Sequence, residues 1–585
     1  MKVMLLFPPH WTPTMPHLAL PALTAYLRAG GVEVIQRDLN LEVFDRILTR
    51  AHLQRSLQRL RRIARPPARH LSPPPEIVQS ALEVGPQLVG QVEAAKAVMR
   101  GDAFYEGPAS LRAFQVLVQS LEIASLPYYP ASLEFGRYVP AAPVDGSESL
   151  LRAVRDPQHN VFIDLYRQGV LPEIKRERPD MVAISISTMD QMLAGMTLAY
   201  EIKRAGIRCH VTVGGPHISM LREQIARAPR LFDLFDSAVA FSGQVPLLRL
   251  AEVLDGAGDL SQVPNLIYRD GDEVRVNAPS APIEIDALPL PDYDGLPLDR
   301  YLIPKLVLPL LTAHGCYYGQ CAFCNQGYGG SEPFSQLSAE HLVEQMMALH
   351  DRYGVRHIFF ADEAITPRNL REMSSRLEAL GSPLEWIGCA RFERALTTEL
   401  LESMYRGGCR MLLFGLEAAS QPVIDRIGKG TQLEEVRRIL RQSAKAGIWN
   451  HIFFFFGFPG ETISDAQETV NLIYGEQQHV HSAAPGTFLL ERYAPAHRFP
   501  ERYGIKRVSQ PPESDLAIYF DYQVESGMDE EMAELAMSRL LDVLPTRPFG
   551  QYYVHDTYRF LYASHLREQG KPLPPWLVPE AQDAR

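Results

Sequence analysis

With 585 residues, 46% of them hydrophobic, the chain holds enough apolar material for roughly two to four domains. Its formal net charge of -11 argues against a nucleic-acid protein, because phosphate binding needs a surplus of Lys and Arg on one face. The densest basic stretch, Arg55 to Arg69 with Arg59, Arg61, Arg62 and Arg65, reads as a solvated helix face.

Met1 to Pro9 is too short for a signal peptide and reads as a first strand, Lys2 to Phe7, closed by Pro8-Pro9. No run reaches the ~18 apolar residues that span a bilayer, so a soluble, cytoplasmic protein with no membrane partner is expected. Leu18 to Ala29 reads as a helix, and Val32 to Ile35 as a strand leading to Asp38-Leu39-Asn40. Residues 41–175 are mostly helical in pattern, broken at Pro73-Pro74-Pro75, and interrupt the α/β alternation as an inserted layer. Strands at Met181–Ile186, His210–Val213 and Ser237–Phe241 then alternate with helices at Met192–Ala205, Leu221–Arg227 and Pro246–Leu254. Apolar strands separated by amphipathic helices give a doubly wound parallel sheet. Leu266 to Val276 reads as a hairpin turning at Asp270-Gly271.

A Pro-rich linker follows at Leu288-Pro289-Leu290-Pro291-Asp292-Tyr293. A second series of strands is expected at Val307–Ala313, His357–Asp362, Glu385–Arg391, Met411–Glu417, His451–Gly457 and Gly486–Tyr493. Helices between them, among them Ala339–Arg352 and Leu433–Ala446, make this a partial (β/α)6 barrel of TIM type. The expected organisation is a doubly wound domain over 1–285, a linker over 286–300, the partial barrel over 301–495 and a small mixed C-terminal cap over 496–585. The cap is rich in aromatic residues (Tyr519, Phe520, Tyr522, Tyr552, Tyr553, Tyr558).

Of the six cysteines, Cys316, Cys321 and Cys324 fall in one loop directly after the first barrel strand, and Cys209, Cys389 and Cys409 are scattered. This is not a disulfide framework. Three thiolates so close can reach three corners of a [4Fe–4S] cube, and with no fourth cysteine nearby one iron stays open to an exogenous ligand. The alternative is a structural zinc site of the three cysteines and His314.

The segment His314-Gly315-Cys316-Tyr317-Tyr318-Gly319-Gln320-Cys321-Ala322-Phe323-Cys324-Asn325 resembles the cluster loop of the radical S-adenosylmethionine (SAM) family. That family spaces its cysteines by three residues and then two. Here the first interval has four, and Gly319 would ease the extra bend. The order of later motifs fits the same family. Phe360-Ala361-Asp362-Glu363 stands where the family positions the SAM amino group, Asp362 being the first candidate and Glu363 the second. Arg391, in Ala390-Arg391-Phe392-Glu393, and Glu417, which ends Phe414-Gly415-Leu416-Glu417, are further implied SAM contacts. Lys429-Gly430-Thr431 follows. Gly457 and Gly460, in Gly457-Phe458-Pro459-Gly460-Glu461-Thr462, resemble the adenine-contacting turn. Each has a plainer reading: Glu417 as a solvated loop acid, Arg391 paired with Glu393, and Thr462 as a helix N-cap. The resemblance covers about residues 300–495 and implies SAM cleavage to a 5′-deoxyadenosyl radical, with electrons from an external flavodoxin- or ferredoxin-like donor.

A doubly wound domain before such a barrel is similar to the cobalamin domain of B12-dependent radical SAM enzymes. Leu5-Leu6-Phe7-Pro8-Pro9, Ser185-Ile186-Ser187 and Val213-Gly214-Gly215-Pro216-His217 carry that likeness, and Gly243-Gln244 stands where Gly-Glu is common. Ser187, Gly214 and Gly215 are the candidate cobalamin contacts. None of the 17 histidines follows an Asp at two residues' distance, so the Asp-x-His-x-x-Gly cobalt ligand is absent. A nucleotide-binding domain is the alternative, but Phe7-Pro8-Pro9-His10 carries no Gly-rich fingerprint. His10, Trp11 and His17 either face the cofactor or pack the loop. The resemblance implies a C-methyltransferase acting on a small molecule or peptide, in which one SAM methylates cobalamin and another is cleaved to the radical. No protein side chain is expected to carry the methyl. Cyclisation or rearrangement on the same scaffold, and a non-catalytic metal- or cobalamin-binding module, are the competing readings.

Overall fold

A computed structural model of the chain describes residues 1–63, 72–325, 333–543 and 554–577. They form two compact units, the first of Met1–Ala281, Leu288–Leu306 and Pro511–Ile518, the second of Pro282–Ala287, Val307–Gln510 and Tyr519–Arg585.

The first unit is built on a sheet of β1 (Lys2–Phe7), β2 (Glu33–Asp38), β3 (Met181–Ser185), β4 (His210–Gly214), β5 (Ser237–Val239), β6 (Leu266–Asp270) and β7 (Glu273–Val276), in the order β2-β1-β3-β4-β5-β6-β7. The first five pair in parallel, and β6 and β7 add an antiparallel hairpin whose turn holds Gly271 at φ 60°. Val3 to Phe7 and all of β3 are buried, as parallel strands covered on both faces must be. The order reverses between β1 and β3, and open sheets of this kind bind ligands outside their carboxyl ends near such a switch.

After β2 come helices at Leu39–Ile47, Arg50–Ile63, Pro75–Met99 and Gly107–Ser125, and a short ribbon pairing Ser132–Leu133 with Tyr138–Val139. Asp38 caps the first of these helices, accepting the Leu41 amide at 3.0 Å. Arg55, Arg61 and Arg62 lie on a solvated face, while Arg59 turns in to Asp164 at 3.0 Å. Arg65 and Arg69 lie outside the described residues. Residues 288–306 pack onto this unit: Asp292 pairs with Arg28 at 2.7 Å, and the Tyr301 hydroxyl donates to Asp38 at 2.7 Å. No helix among the described residues is long and apolar enough to cross a membrane.

The second unit carries six parallel strands in sequential order: β8 (Val307–Leu310), β9 (His357–Phe360), β10 (Glu385–Ala390), β11 (Cys409–Glu417), β12 (Trp449–Phe456) and β13 (Ser482–Thr487). Its two edge strands do not pair with each other, so the sheet stays open. Each edge strand carries a proline, Pro309 and Pro485, where a missing ladder donor is tolerated. Crossover helices start at hydroxyl caps, Ser338, Thr366, Thr397 and Thr462, whose side chains accept amides of the first turn.

Two expected strands differ. The first ends at Leu310 rather than Ala313, because the amides of Thr312 and Ala313 turn to the Asp362 carboxylate. The last lies at Ser482–Thr487, earlier than Gly486–Tyr493. Its Ser-Ala-Ala-Pro-Gly-Thr run lacks apolar alternation and is recruited by backbone pairing to β12.

Beyond the parallel sheet, β14 (Leu490–Glu491), β15 (Ile505–Ser509) and β16 (Tyr519–Val524) form an antiparallel sheet in the order β14-β16-β15. A final helix, Asp556–Glu568, packs on β10 and β11. Phe520 and Tyr558 are buried in this unit; Tyr552 and Tyr553 lie outside the described residues.

Candidate active site

The cysteine loop leaves the C-terminal end of β8 and is pinned at four places. Asp362, just after β9, accepts from Thr312 N at 2.9 and 3.0 Å, Thr312 Oγ1 at 2.8 Å and Ala313 N at 2.7 Å. Tyr317 donates its hydroxyl to Glu393 at 2.5 Å, and Tyr318 donates to Gly428 O at 2.6 Å. Ala322 takes part in two backbone bonds, donating to Ile427 O at 2.8 Å and accepting from Ala496 N at 2.9 Å. Gly315 and Gly319 bend the loop at φ 69° and 61°, so the fourth residue of the first interval is absorbed in a conformation that glycine adopts freely. Phe323 packs edge-on to Phe455 at 5.2 Å.

All three thiols are half-buried. Burial raises Cys321 despite the nearby cations of Lys429 and Arg391, and raises Cys324 well above the usual thiol range, helped by Glu363, Cys321 and Glu491. Among the described residues no three His, Cys, Asp or Glu side chains converge to hold one metal ion. A cubane makes no such demand, since each thiolate binds a different iron.

The expected SAM contacts divide into one open group and several enclosed ones. Asp362 is buried, and its bonds all run to the loop; burial lifts its carboxyl to about 7 in spite of them. Glu363, the second choice in the sequence, is the accessible carboxylate, raised by the protein atoms around it. Sequence reasoning missed Glu491 at the end of β14. It lies within electrostatic reach of Glu363 and Cys324 and is raised to about 7 by burial. Its signal was faint, a lone acid in Leu490-Glu491-Arg492.

Arg391 does not pair with Glu393, which is engaged by Tyr317. Its guanidinium lies 3.6 Å from the Tyr318 ring centroid and donates to Lys429 O at 2.5 Å. Glu417 is not a solvated acid: at φ 64° after a register shift in β11, it forms a buried ion pair with Lys429 at 2.5 Å. Gly415 leaves room for it, since a Cβ there would meet Glu417 Oε1 at 2.3 Å. Gly457 and Gly460 take φ 90° and 84°, and the Gly457 amide donates to Glu461 at 2.6 Å. Their nearest neighbours are protein atoms, Ala533 and Arg426, and Thr462 is indeed an N-cap, in a capping box with Asp465.

In the first unit, a cavity of about 180 Å³ opens at the ends of β3, β4 and β5. Leu5, Val213, Val239 and Leu247 line its apolar wall, and Ser185, Gly214, Gly215, Gly243 and Gln244 its rim. Gly215, at φ 103°, has no room for a side chain, since a Cβ would lie 2.5 Å from Ile186 O. Ser187 is not part of the lining, but its hydroxyl is buried without a hydrogen-bond partner among the described residues, while Thr188 forms a capping box with Gln191. The loop after β1 packs internally: His17 stacks on Phe7 at 4.4 Å, Trp11 meets both edge-on, and His10 bonds Glu134 O at 2.6 Å.

The radical SAM superfamily pattern matches residues 310–473. Over 362 residues the chain is 28% identical to an uncharacterized methyltransferase of Pyrococcus horikoshii, covering 59% of this chain and 77% of that one. The fold is shared with the radical SAM methyltransferase TsrM of Kitasatospora setae, solved with tryptophan and a SAM analogue, at TM-score 0.58 and 14% identity over 97% and 95% of the two chains. It is shared also with OxsB, a cobalamin-dependent SAM radical enzyme, at TM-score 0.53 and 17% identity; that match spans 67% of this chain and 63% of OxsB. The cysteine loop lies at the mouth of an open six-stranded parallel sheet and inside the stretch that matches the superfamily pattern, so residues 310–473 carry a radical SAM domain.

Proposed function

We propose that the protein is a cobalamin-dependent radical SAM methyltransferase that methylates a carbon of a small molecule or peptide, with electrons from an external flavodoxin- or ferredoxin-like donor. The observation that carries the reading is the three-thiol loop, braced from four sides, with the open Glu363 carboxylate beside Cys324. The donor set suits a cubane with one iron left free: three thiols in one short loop, bent at glycines. The Ser187 hydroxyl, unpartnered among the described residues, and the apolar slot under Gly214-Gly215 suit a large ligand with a flat aromatic appendage. When bound, the cluster with SAM would supply an adenosyl radical, and cobalamin a methyl carrier.

The chain's own residues bind and orient. Cys316, Cys321 and Cys324 hold the iron. Glu363 accepts from the SAM ammonium, with Glu491 adding negative charge beside it. Asp362 fixes the loop rather than the cofactor. Gly457 and Gly460 shape the turn after β12, and Glu417 holds Lys429 beside Phe323. Gly214, Gly215 and Ser187 take the cobalamin side.

The test is turnover of anaerobic protein carrying both cofactors, with SAM labelled at the methyl. Candidate substrates come from neighbouring genes. A product heavier by one CH₂ and carrying the label is expected, with 5′-deoxyadenosine and S-adenosylhomocysteine in similar amounts. Deoxyadenosine with an unlabelled product would instead favour a radical rearrangement.

A further inference from the structure

We infer that Arg391 and Lys429 form a cationic cradle against the aromatic rings of the cysteine loop, one that raises the reduction potential of the cluster held there. This rests on the reading that Cys316, Cys321 and Cys324 hold a [4Fe–4S] cluster.

Each cation meets a ring of the loop. Arg391 stacks on Tyr318 at 3.6 Å, and the Lys429 ammonium lies 6.0 Å from the Phe323 centroid. The two are linked, since Arg391 Nη2 donates to Lys429 O at 2.5 Å. The strap after the helix Gln421–Ile427 holds them against the loop through Tyr318 to Gly428 and Ala322 to Ile427. Lys429 is balanced by Glu417 at 2.5 Å. Among the described residues Arg391 has no such partner: it is 9% exposed, and its Nε has no hydrogen-bond acceptor there.

A buried guanidinium with an unused donor costs several kcal/mol unless an anion compensates it. A cubane on three thiolates is an anion, and one-electron reduction makes it a stronger one. A neighbouring buried cation therefore stabilises the reduced form more than the oxidised form, and net charge and hydrogen bonds to sulfur are among the factors that set cluster potentials. Cys321 feels the charges of Lys429 and Arg391, whereas Cys324 feels those of Glu363 and Glu491.

The test is a reductive titration of the anaerobically reconstituted protein, followed by electron paramagnetic resonance, with iron measured for each variant and no SAM present. Arg391→Gln should shift the midpoint to more negative potential, and Arg391→Lys, which keeps the charge, should restore most of it. Glu417→Gln unmasks the Lys429 charge and should move the midpoint the other way. An Arg391→Gln protein with full iron and an unmoved midpoint overturns the proposal, and weaker SAM binding in a separate calorimetric titration would make Arg391 a SAM ligand instead. An unmoved Glu417→Gln midpoint overturns it too, even should Arg391→Gln fail to retain iron. Wild-type protein that takes up no iron refutes the cluster reading itself, a result distinguishable from either.

Discussion

Asp362 and Ala313 are joined across the mouth of the open sheet, the carboxylate of one accepting the amide of the other at 2.7 Å, with Thr312 bound beside it. The acid at the end of β9 is therefore a brace for the cysteine loop, and its neighbour Glu363 is the group left open. The two should separate experimentally. Asp362→Asn sets an amide donor against the Thr312 and Ala313 amides, and a buried mismatch of this kind costs about 1–3 kcal/mol. Faster loss of iron to a chelator is expected, with SAM affinity little changed in the protein that keeps its iron. Glu363→Gln should keep its iron and weaken SAM binding ~10-fold or more, the value of one charged hydrogen bond. Calorimetric SAM titrations alongside iron-release rates check both.

The loop's own residues give a second prediction. Replacing Cys316, Cys321 or Cys324 with Ala should abolish the ~four irons of a cubane, while Cys209→Ala, in the other unit, leaves them. Gly319→Ala forces a Cβ into φ 61°, at a cost of ~1–2 kcal/mol. It should reconstitute with less iron than wild type. Stoichiometric zinc without iron in anaerobic protein would refute the assignment.

The fold and the cysteine loop were legible in the sequence because both have local signals: short apolar strands with helical periods between them, and thiols at close spacing. The bend at Gly319 was legible for the same reason. The bonding of the Asp362 carboxylate to the loop was not, because adjacent residues at a strand end point opposite ways and only the path of residues 312–313 decides which is engaged. Glu417 and Arg391 were recognised as important positions, but their partners, Lys429 and Tyr318, lie 12 and 73 positions away and are set by packing. Glu491 reaches the site through β14, a strand of two residues without a pattern to read.

Stability of the second unit should hinge on Glu385. This carboxylate, 1% exposed, meets Arg410 at 2.8 Å, Arg567 at 3.1 Å and Arg356 at 3.3 Å, and accepts from Ser564. It ties the start of β10 to the final helix and holds Glu385 itself below the usual carboxylate range despite burial. Glu385→Ala leaves Arg410, 2% exposed, without its counter-ion and should cost about 3–5 kcal/mol, whereas Arg567→Ala removes a more exposed partner and should cost much less. Thermal melts of the two variants test the order.

Acid sensitivity follows from the histidines. His481, buried, accepts the Asn450 amide at Nδ1, 2.9 Å, so that nitrogen carries no proton. Burial lowers it to about 3, His451 to about 3, and His10, His17 and His217 to about 4. Each is depressed below its ordinary value of 6.5, so the unfolded chain takes up protons first as the pH falls. The stability they contribute is complete above about pH 6.5 and is lost as the pH drops from there toward 3–4. Asp38, raised to about 6, and Asp362, Glu461 and Glu491, raised to about 7, act oppositely between about pH 4 and 7, while His52 and His555, also lowered to about 4, add to the larger histidine group. Melting temperature should therefore fall from pH 7 to pH 5, and His481→Gln should flatten that fall. A wild-type melting temperature that rises on acidification would contradict the balance.

The slot at the ends of β3, β4 and β5 makes the last prediction. Gly214 lines it between Thr212-Val213 and Gly215, and a Cβ there would lie 3.3 Å from Val239 O, a tight contact that the strand end must yield to by a few tenths of an ångström. Gly214→Val should fill part of a cavity of about 180 Å³, with retention of the fold checked by its melting temperature and iron content. If the slot receives part of cobalamin, hydroxocobalamin binding should weaken by an order of magnitude or more, since an occupied pocket excludes the group that would enter it. Ser187→Ala removes a hydroxyl that has no hydrogen-bond partner among the described residues and should weaken binding by a few-fold without lowering the melting temperature. Neither variant should alter iron content, because the thiols belong to the other unit. The bound Co(II) form should also show no nitrogen splitting from a protein imidazole, as the missing Asp-x-His-x-x-Gly implies and as the internally packed His10 and His17 agree. Undiminished binding in Gly214→Val, measured by the visible spectrum of protein freed of unbound cobalamin, would place the cofactor elsewhere; clear histidine splitting would refute the open lower face.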